Sequence, residues 1–265
     1  MTSIHRLLTV GCVVVGLMVL VSTISAFFSP SIQAMLMIPA TPGNRSYTNT
    51  AVTTQPAMNA PKTGSMPSPT AMTASVLAQD TFQRNNQRLW GTASDGQTWG
   101  GNANSSQSFA IDGQTGFVGN VQGVFDATLG PSTTDADVTF SGSLTFFGNG
   151  SSNIGSILRW MDTNNWYKAY LDGMQLILLK KVAGNLTRLN VVVFPTQSNK
   201  EYTLRFRVVG TMLMAKAWLT DQAEPSTWMV TANDTSLTAG FGGLRVVVQK
   251  GVVARIHMFT EMVAR

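Results

Sequence analysis

The strongest constraint on this chain is the alternation of apolar and polar residues that begins near residue 79 and continues to the C-terminus. Residues 201–210 read E-Y-T-L-R-F-R-V-V-G, so that apolar side chains occupy every second position of most of the segment. A period of two places one set of side chains on a buried face of a β-strand and the other set on a wet face. Turn dipeptides such as Asp172-Gly173 and Gly210-Thr211 separate neighbouring runs and favour antiparallel hairpins.

The same pattern recurs along residues 79–265, with turn signals roughly every 10 residues. Gly is frequent at 24 residues and charged residues are scarce at 12%, a composition that suits short strands joined by turns. Because so many short antiparallel strands need two layers to bury their apolar faces, we predict an all-β, two-sheet antiparallel jelly-roll sandwich. The predicted strands are 107–111, 115–119, 122–127, 137–147, 155–161, 166–172, 174–182, 186–194, 201–210, 212–219, 227–232, 241–249 and 252–263.

The N-terminal segment predicts export from the cell. After a short start that contains Arg6, the 22 residues from Leu7 to Phe28 carry no charge. A signal peptide cleaved after Ala26 or Ala34 and a single membrane anchor both fit this segment. Both interpretations place the rest of the chain outside the cell, secreted or at the cell surface. An uncleaved segment would contact the membrane through a hydrophobic helix at residues 7–28.

Residues 35–78 predict a disordered stalk rich in Thr, Pro and Ser. Six prolines interrupt any regular structure, the charged residues are Arg45 and Lys62, and apolar periodicity is absent. Such a spacer holds a domain away from a wall or membrane. The predicted organisation is therefore a signal peptide or anchor at 1–34, a linker at 35–78 and a β-sandwich domain at 79–265.

Composition also excludes several kinds of chemistry. The single cysteine, Cys12, lies in the apolar N-terminal run, so the β domain can hold neither a disulfide nor a zinc site built on cysteine. The formal net charge is +5, but no Lys/Arg-rich run with interleaved aromatic residues is present. We therefore predict no nucleic-acid partner.

Three motifs resemble a known superfamily. They are D-T-F-Q-R at 80–84, L-R-W-M-D-T-N-N-W-Y-K-A-Y at 158–170 and Y-T-L-R-F-R at 202–207. Together they resemble the concanavalin A-like lectin/glucanase superfamily, and within it the laminin G-like jelly-roll domains of bacterial surface and secreted proteins. The resemblance covers about residues 80–263. It implies glycan binding, glycan cleavage or protein adhesion, because one fold hosts several functions.

The carboxylates of the domain favour binding over cleavage. Glycosidases of this superfamily resemble one another in a Glu-x-Asp-x-x-Glu strand, which is absent here, and the domain has three glutamates, Glu201, Glu224 and Glu261. Glycoside hydrolysis usually needs two carboxylates that flank the scissile bond. We therefore predict a non-catalytic, lectin-like carbohydrate-binding module. A protein-adhesion or structural module and a glycoside hydrolase of the same fold are the alternatives.

A sugar site needs flat aromatic rings for stacking and polar groups for hydroxyls. If the strand at 166–172 and the hairpin at 202–219 share one sheet, its wet face displays both kinds of side chain. This surface predicts a polysaccharide or cell-surface glycan as the partner, with surface proteins as a further possibility. The predicted ligand-binding residues are Lys168, Tyr170, Arg205, Arg207, Lys216 and Trp218, whereas Trp90, Trp99, Trp160, Trp166 and Trp228 are predicted to pack in the core or at its edge.

The resemblance also implies one structural calcium ion, since domains of this superfamily often carry one. Calcium prefers carboxylate and carbonyl oxygens. Asp80 opens the domain and Asp162 lies in a loop with Asn164, but neither belongs to a spaced ligand set. The expectation is either no cofactor or one calcium ion at Asp80 or Asp162.

Overall fold

A computed structural model of the protein describes residues 75–119 and 121–265. The predicted export segment at 1–34, and the predicted linker as far as residue 74, lie outside the described residues. In the described part, no helical segment has the length and apolar character needed to cross a lipid bilayer.

The described residues form an all-β sandwich of two antiparallel sheets, which confirms the all-β, two-sheet part of the predicted fold. One short 3-10 turn, Gly101–Asn104, is the helical segment of this part of the chain. The strands are β1 (Val76–Asp80), β2 (Gln87–Arg88), β3 (Phe109–Asp112), β4 (Thr115–Val118), β5 (Gly123–Thr128), β6 (Ala136–Leu144), β7 (Asn153–Asp162), β8 (Asn165–Leu171), β9 (Gln175–Val182), β10 (Asn185–Val193), β11 (Tyr202–Val209), β12 (Met212–Leu219), β13 (Val230–Asn233), β14 (Phe241–Val248) and β15 (Ala254–Val263).

The strands divide unequally between the two sheets. The nine-stranded sheet has the order β13-β12-β11-β6-β15-β4-β3-β2, with β1 also paired to β15. The six-stranded sheet has the order β10-β9-β8-β7-β14-β5. Several neighbours, such as β6 and β15, lie far apart in the sequence, so much of the pairing is non-local.

The alternation in the sequence becomes the inner and outer face of each sheet. In β11, Leu204, Phe206 and Val208 are fully buried, whereas Arg205 and Arg207 lie on the opposite, outer face. Aromatic rings fill one end of the core through edge contacts, which stabilise a packed core beyond simple area burial. The rings of this cluster are Phe82, Trp90, Trp99, Phe109 and Phe259.

The first strand begins earlier than the domain boundary predicted at residue 79. Val76 and Ala78 pair with Met262 and Glu261 of the last strand, and the side chain of Ala78 is fully buried. Residues 76–78, which the sequence assigned to the linker, therefore belong to the sheet. The pairing also places the start of the described domain beside its C-terminal strand.

Arg159 joins several loops at one end of the sandwich. Its side chain is only 5% exposed. Nε donates to the carbonyl oxygen of Thr134 at 2.9 Å, and Nη1 donates to that of Leu237 at 2.7 Å. Nη2 donates to the carbonyl oxygen of Gly210 at 2.7 Å and lies 3.3 Å from the Asp135 carboxylate. One guanidinium thereby satisfies backbone acceptors from three separate connections.

Glu261 is a buried carboxyl group in the space between the sheets. It is 0% exposed, and among residues 75–119 and 121–265 neither carboxyl oxygen has a hydrogen-bond partner. Gly242 faces it from β14, where an added Cβ atom would lie 2.5 Å from the carboxyl group, so only glycine leaves room. Burial raises the pKa of Glu261 from its ordinary 4.5 to about 8, because an unpaired charge is costly away from water.

Candidate functional site

The six predicted ligand-binding residues do not share one surface. β8, which carries Lys168 and Tyr170, belongs to the six-stranded sheet, whereas β11 and β12 belong to the nine-stranded sheet. The assumption that these strands lie in one sheet was therefore wrong. The alternation indicates which face of a strand is wet, but it does not encode which sheet the strand joins.

On the nine-stranded sheet, Arg205, Arg207 and Lys216 form an ion-pair network with acidic neighbours. Arg205 and Arg207 lie 2.7 and 2.6 Å from the same Asp137 oxygen, and Lys216 lies 2.7 Å from Glu224. Asp137 is 1% exposed. The acceptors of this network come from the chain itself, so the three cations act first as internal partners and not as an open glycan platform.

Trp228 covers this network. Its ring centre lies 5.7 Å from the guanidinium of Arg205, 5.4 Å from that of Arg207 and 4.9 Å from the ammonium of Lys216. Lys216 also donates a hydrogen bond to the carbonyl oxygen of Pro225 at 2.6 Å. The face of an aromatic ring attracts cations, so these contacts and the ion pairs together hold the loop that precedes β13 against the sheet.

Trp218 lies apart from this network, in a groove at the edge of the sandwich. The groove has a volume of about 520 Å³ and is lined by Phe194, Tyr202, Trp218 and Met229, among others. Trp218 is only partly buried, which agrees with its predicted place on the wet face of β12. This groove is a second candidate site for a ligand on the described domain.

A smaller cavity of about 230 Å³ lies on the outer face of the six-stranded sheet. Strand register brings together residues from four strands. Trp166, Lys168 and Tyr170 of β8 lie opposite Lys181, Leu179 and Ile177 of β9, and Arg245 of β14 lies opposite Gly155 of β7. We call this the outer-face cavity; its principal residues are Asn153, Trp166, Lys168, Tyr170, Lys181 and Arg245.

Each cation of the outer-face cavity has a defined position. The Lys168 ammonium donates to Asn153 Oδ1 at 2.5 Å and lies 4.6 Å from the ring centre of Tyr170. The Arg245 guanidinium lies 4.6 Å from the ring centre of Trp166. The cavity therefore combines aromatic surface with fixed hydrogen-bond donors.

Two further contacts hold these cations in place. Arg245 Nη1 donates to Asp126 at 2.5 Å, and Lys181 Nζ donates to the carbonyl oxygen of Thr163 at 3.0 Å. Asp126 is 4% exposed and lies behind Arg245, outside the lining of the cavity. The ion pair therefore orients Arg245 without presenting a carboxylate to the cavity.

Lys168 is the most unusual charged group of the cavity because it is 3% exposed. Burial lowers the pKa of Lys168 well below its ordinary 10.5, and nearby Arg245 lowers it further, whereas Asp126 opposes the change. Burial also raises the pKa of Tyr170, with a further contribution from Asp172. Tyr170 therefore stays neutral, and its surroundings disfavour the charged form of Lys168.

The sequence analysis missed three residues of this cavity. Trp166 is packed, as predicted, and only 2% exposed, but it packs beneath Arg245 on the outer side of β8, where it also lines the cavity. Arg245 and Lys181 were not singled out. Arg245 interrupts the run G-G-L-R-V-V-V, and a lone cation inside an apolar strand is the signal that could have identified it.

The two proposed calcium ligands lie apart and hold groups of the protein itself. Asp80 is 0% exposed and accepts hydrogen bonds from Arg84, from Trp99 Nε1 at 2.7 Å and from the backbone N–H of Phe82. Asp162 accepts hydrogen bonds from Asn164 and Asn165. Within residues 75–119 and 121–265, no group of three His, Cys, Asp or Glu side chains is placed to hold a metal ion.

No protein-family model matches the sequence, and no curated protein matches it. Solved structures do match the fold. A carbohydrate-binding module, CBM66 from Bacillus subtilis, is 18% identical with a TM-score of 0.50, over 62% of this chain and 94% of that chain. A xylan β-1,4-xylosidase from Bacillus halodurans C-125 is 12% identical with a TM-score of 0.53, over 76% of this chain and 41% of that chain.

A third match, a GH43B protein of a Bacteroides ovatus xyloglucan PUL, is 11% identical with a TM-score of 0.51. This match covers 76% of this chain and 41% of that chain. The chain thus spans about two fifths of each of these two larger proteins. At such low identity the likeness shows the fold alone, a β-sandwich consistent with the concanavalin A-like architecture predicted from the motifs.

Proposed function

We propose that this domain is a carbohydrate-binding module that takes a sugar unit into the outer-face cavity. The observation that carries the proposal is the meeting of Tyr170 with Lys168, Lys181 and Arg245 in one recess. Aromatic surface and a few fixed polar groups are the usual makeup of a small-molecule site. The fold shared with a structure described as a carbohydrate-binding module supports the same class of ligand.

The size of the cavity limits what can enter. Its volume of about 230 Å³ lies below the roughly 300–1,000 Å³ of sites for drug-sized ligands. A single sugar ring, at a chain end or within a polymer, is therefore the unit that the cavity is proposed to recognise. The partner is a polysaccharide or cell-surface glycan, and we propose that the domain meets it outside the cell.

We also propose that the domain binds sugars without cleaving them. Among the described residues, no carboxylate lines the outer-face cavity, and the nearby Asp126 is held in its pair with Arg245. Hydrolysis usually needs one carboxyl acid and one carboxylate across the glycosidic bond. Incubation of the protein with any polysaccharide that it binds should release no new reducing ends. If reducing ends still appear after the protein has been purified further, the hydrolase alternative would be favoured.

Replacing Tyr170 by Ala is expected to weaken sugar binding about tenfold, because removing a central aromatic contact typically costs at least 1 kcal/mol. The matched control is Trp218→Ala, which removes an aromatic ring from the groove on the other sheet. Isothermal titration with a sugar identified on a glycan array measures both variants. Loss of affinity in Trp218→Ala, with Tyr170→Ala unchanged, would move the site to the groove.

Removal of divalent metal is expected to leave the melting temperature unchanged. The carboxylate of Asp80 is already occupied by N–H donors of Arg84, Trp99 and Phe82, which compete with a cation for the same oxygens. Thermal unfolding with EDTA and with added calcium measures the effect. A rise of several degrees with calcium, reversed by EDTA, would restore the structural calcium ion as a proposal.

One observation favours the alternative of protein adhesion. Met174, Leu186 and Val193 lie at the β9–β10 edge of the six-stranded sheet and are 62%, 62% and 74% exposed. Exposed apolar side chains on an edge strand are typical of a surface that meets another protein. A folded protein that retains no sugar, yet loses binding to a surface protein on Leu186→Lys, would support adhesion.

A further inference from the structure

We propose that the sugar unit recognised by the outer-face cavity is anionic and carries a carboxylate or sulfate group that sits against Lys168. This inference rests on the proposed function, because it names the class of sugar that the same cavity takes. Its support is the charge lining of the cavity, the missing counter-charge of Lys168 and the donors that Arg245 has free.

The lining of the outer-face cavity is cationic. Lys168, Lys181 and Arg245 line it together with Tyr170 and Asn153, and no acidic side chain of the described residues joins them. A recess lined by one sign of charge concentrates ligands of the opposite sign. A neutral sugar needs no such lining, because hydroxyl groups are served equally well by neutral donors and acceptors.

Among the described residues, Lys168 is the buried cation that lacks a counter-charge. Its partner is the neutral amide oxygen of Asn153, and no carboxylate of the described residues lies within ion-pair distance of it. The buried Lys216 and the partly buried Arg245 differ, because each pairs with a carboxylate, Glu224 and Asp126 respectively. A buried charge without a partner is costly. An anionic group bound in the cavity would supply the negative charge that Lys168 lacks.

Arg245 can contribute a second contact to the same anion. Its ion pair with Asp126 uses Nη1 alone, and stacking against Trp166 holds the guanidinium plane in place. Nε and Nη2 have no hydrogen-bond acceptor in the described part of the chain. A guanidinium donates well to two oxygens at once, which is the geometry that carboxylates and sulfates offer.

Binding of an anion should therefore be coupled to proton uptake. Burial lowers the pKa of Lys168, and an anion beside the ammonium raises it again. The affinity for an anionic sugar should fall as the pH rises, because the empty cavity then more often holds a neutral Lys168. The charged and titratable groups that face Lys168 are Tyr170 on β8, Lys181 on β9, Arg188 on β10, Arg245 on β14 and Asp126 on β5.

The test compares matched polymers on the full-length protein. Polygalacturonate is set against its fully methyl-esterified form, which has the same backbone without the charge, and dextran sulfate is set against dextran. We expect at least about tenfold tighter binding to one charged polymer than to its neutral counterpart. The preference should shrink with added salt, and titrations in buffers of different ionisation enthalpy should show proton uptake.

Two variants of the cavity and one control variant locate the effect. Lys168→Met should abolish the preference for the charged polymer, whereas Lys250→Met, which removes the same charge from an exposed turn, should leave it unchanged. Because Lys168→Met alters a buried position, Lys181→Met serves as a second variant at a partly exposed position of the same cavity. Thermal unfolding shows that each variant is folded.

The outcomes separate this inference from the proposed function. Equal binding to charged and neutral polymers, lost in Tyr170→Ala, would keep the proposed function and overturn the anionic preference. Binding to no polymer would overturn both. A preference that survives in both Lys168→Met and Lys181→Met would assign it to another surface and overturn the role of this cavity. The carboxylate and sulfate pairs show which anion the cavity takes.

Discussion

Raising the pH from about 5 to about 9 is expected to destabilise the folded domain, and Glu261→Gln is expected to remove most of that loss. Burial raises the pKa of Glu261 to about 8 in the folded state, while the unfolded chain keeps an ordinary value near 4.5. Between these two values the folded state binds more protons than the unfolded state, so the free energy of unfolding falls as the pH rises. Above the higher value the loss is complete.

The expected size of this loss is roughly 4 kcal/mol, because each pKa unit corresponds to about 1.4 kcal/mol. That is a large share of the roughly 5–15 kcal/mol that stabilises a typical domain. Urea unfolding at a series of pH values measures it, in the wild type and in Glu261→Gln. Asp221→Asn removes an exposed carboxylate and is the control. A wild type whose stability is flat from about pH 5 to 9 would mean that the Glu261 carboxyl has a partner in the fold.

Arg159→Met is expected to lower the free energy of unfolding by about 3–5 kcal/mol, since it removes a buried guanidinium that donates to three carbonyl groups, one of them in a buried hydrogen bond. Methionine fills much of the same volume but donates no hydrogen bond. The carbonyl oxygens of Thr134, Gly210 and Leu237 would then lose their shared donor. The loops that carry them connect β5 to β6, β11 to β12 and β13 to β14. The substitution should therefore destabilise all three loops at this end of the sandwich.

Chemical denaturation measures this effect, and Arg88→Met, at an exposed position of β2, is the control. The control should change the stability by no more than about 0.5 kcal/mol. Arg159→Lys should recover little, because one ammonium cannot reach acceptors spread around a guanidinium fork. A small effect of Arg159→Met would mean that water or a rearranged loop satisfies the three carbonyl groups.

Most strands of the domain could be predicted from the sequence because alternation is a local property. The pattern at 201–210 and the turn at Gly210-Thr211 gave β11, β12 and their hairpin with the correct inner and outer faces. The short first strand was missed, since residues 76–78 contain too few positions to show a period. The pairing that makes them a strand comes from β15, more than 180 residues away in the sequence.

The site was predictable only in part. Lys168 and Tyr170 were singled out from the alternation in β8, and they do line one cavity. Their expected neighbours Arg205, Lys216 and Trp218 lie on the other sheet, because sheet membership depends on pairings between distant strands. The acidic partners of the cationic network, above all Asp137 on β6, could not be predicted for the same reason. Arg245 joins the cavity through its pairing with β7, which no local pattern announces.

The pairing of β1 with β15 has a mechanical consequence. If the protein is held by its N-terminus, any pull from a bound polymer must pass through the five residues of β1. They are attached by the ladder to β15 and by the side chain of Asp80, which accepts hydrogen bonds from Arg84 and Trp99. Hydrogen bonds with Asp95 and Gln97 of the following loop add to these attachments. The force that such a tethered molecule can bear is therefore limited by this short strand, however tightly the sugar is held on the opposite sheet.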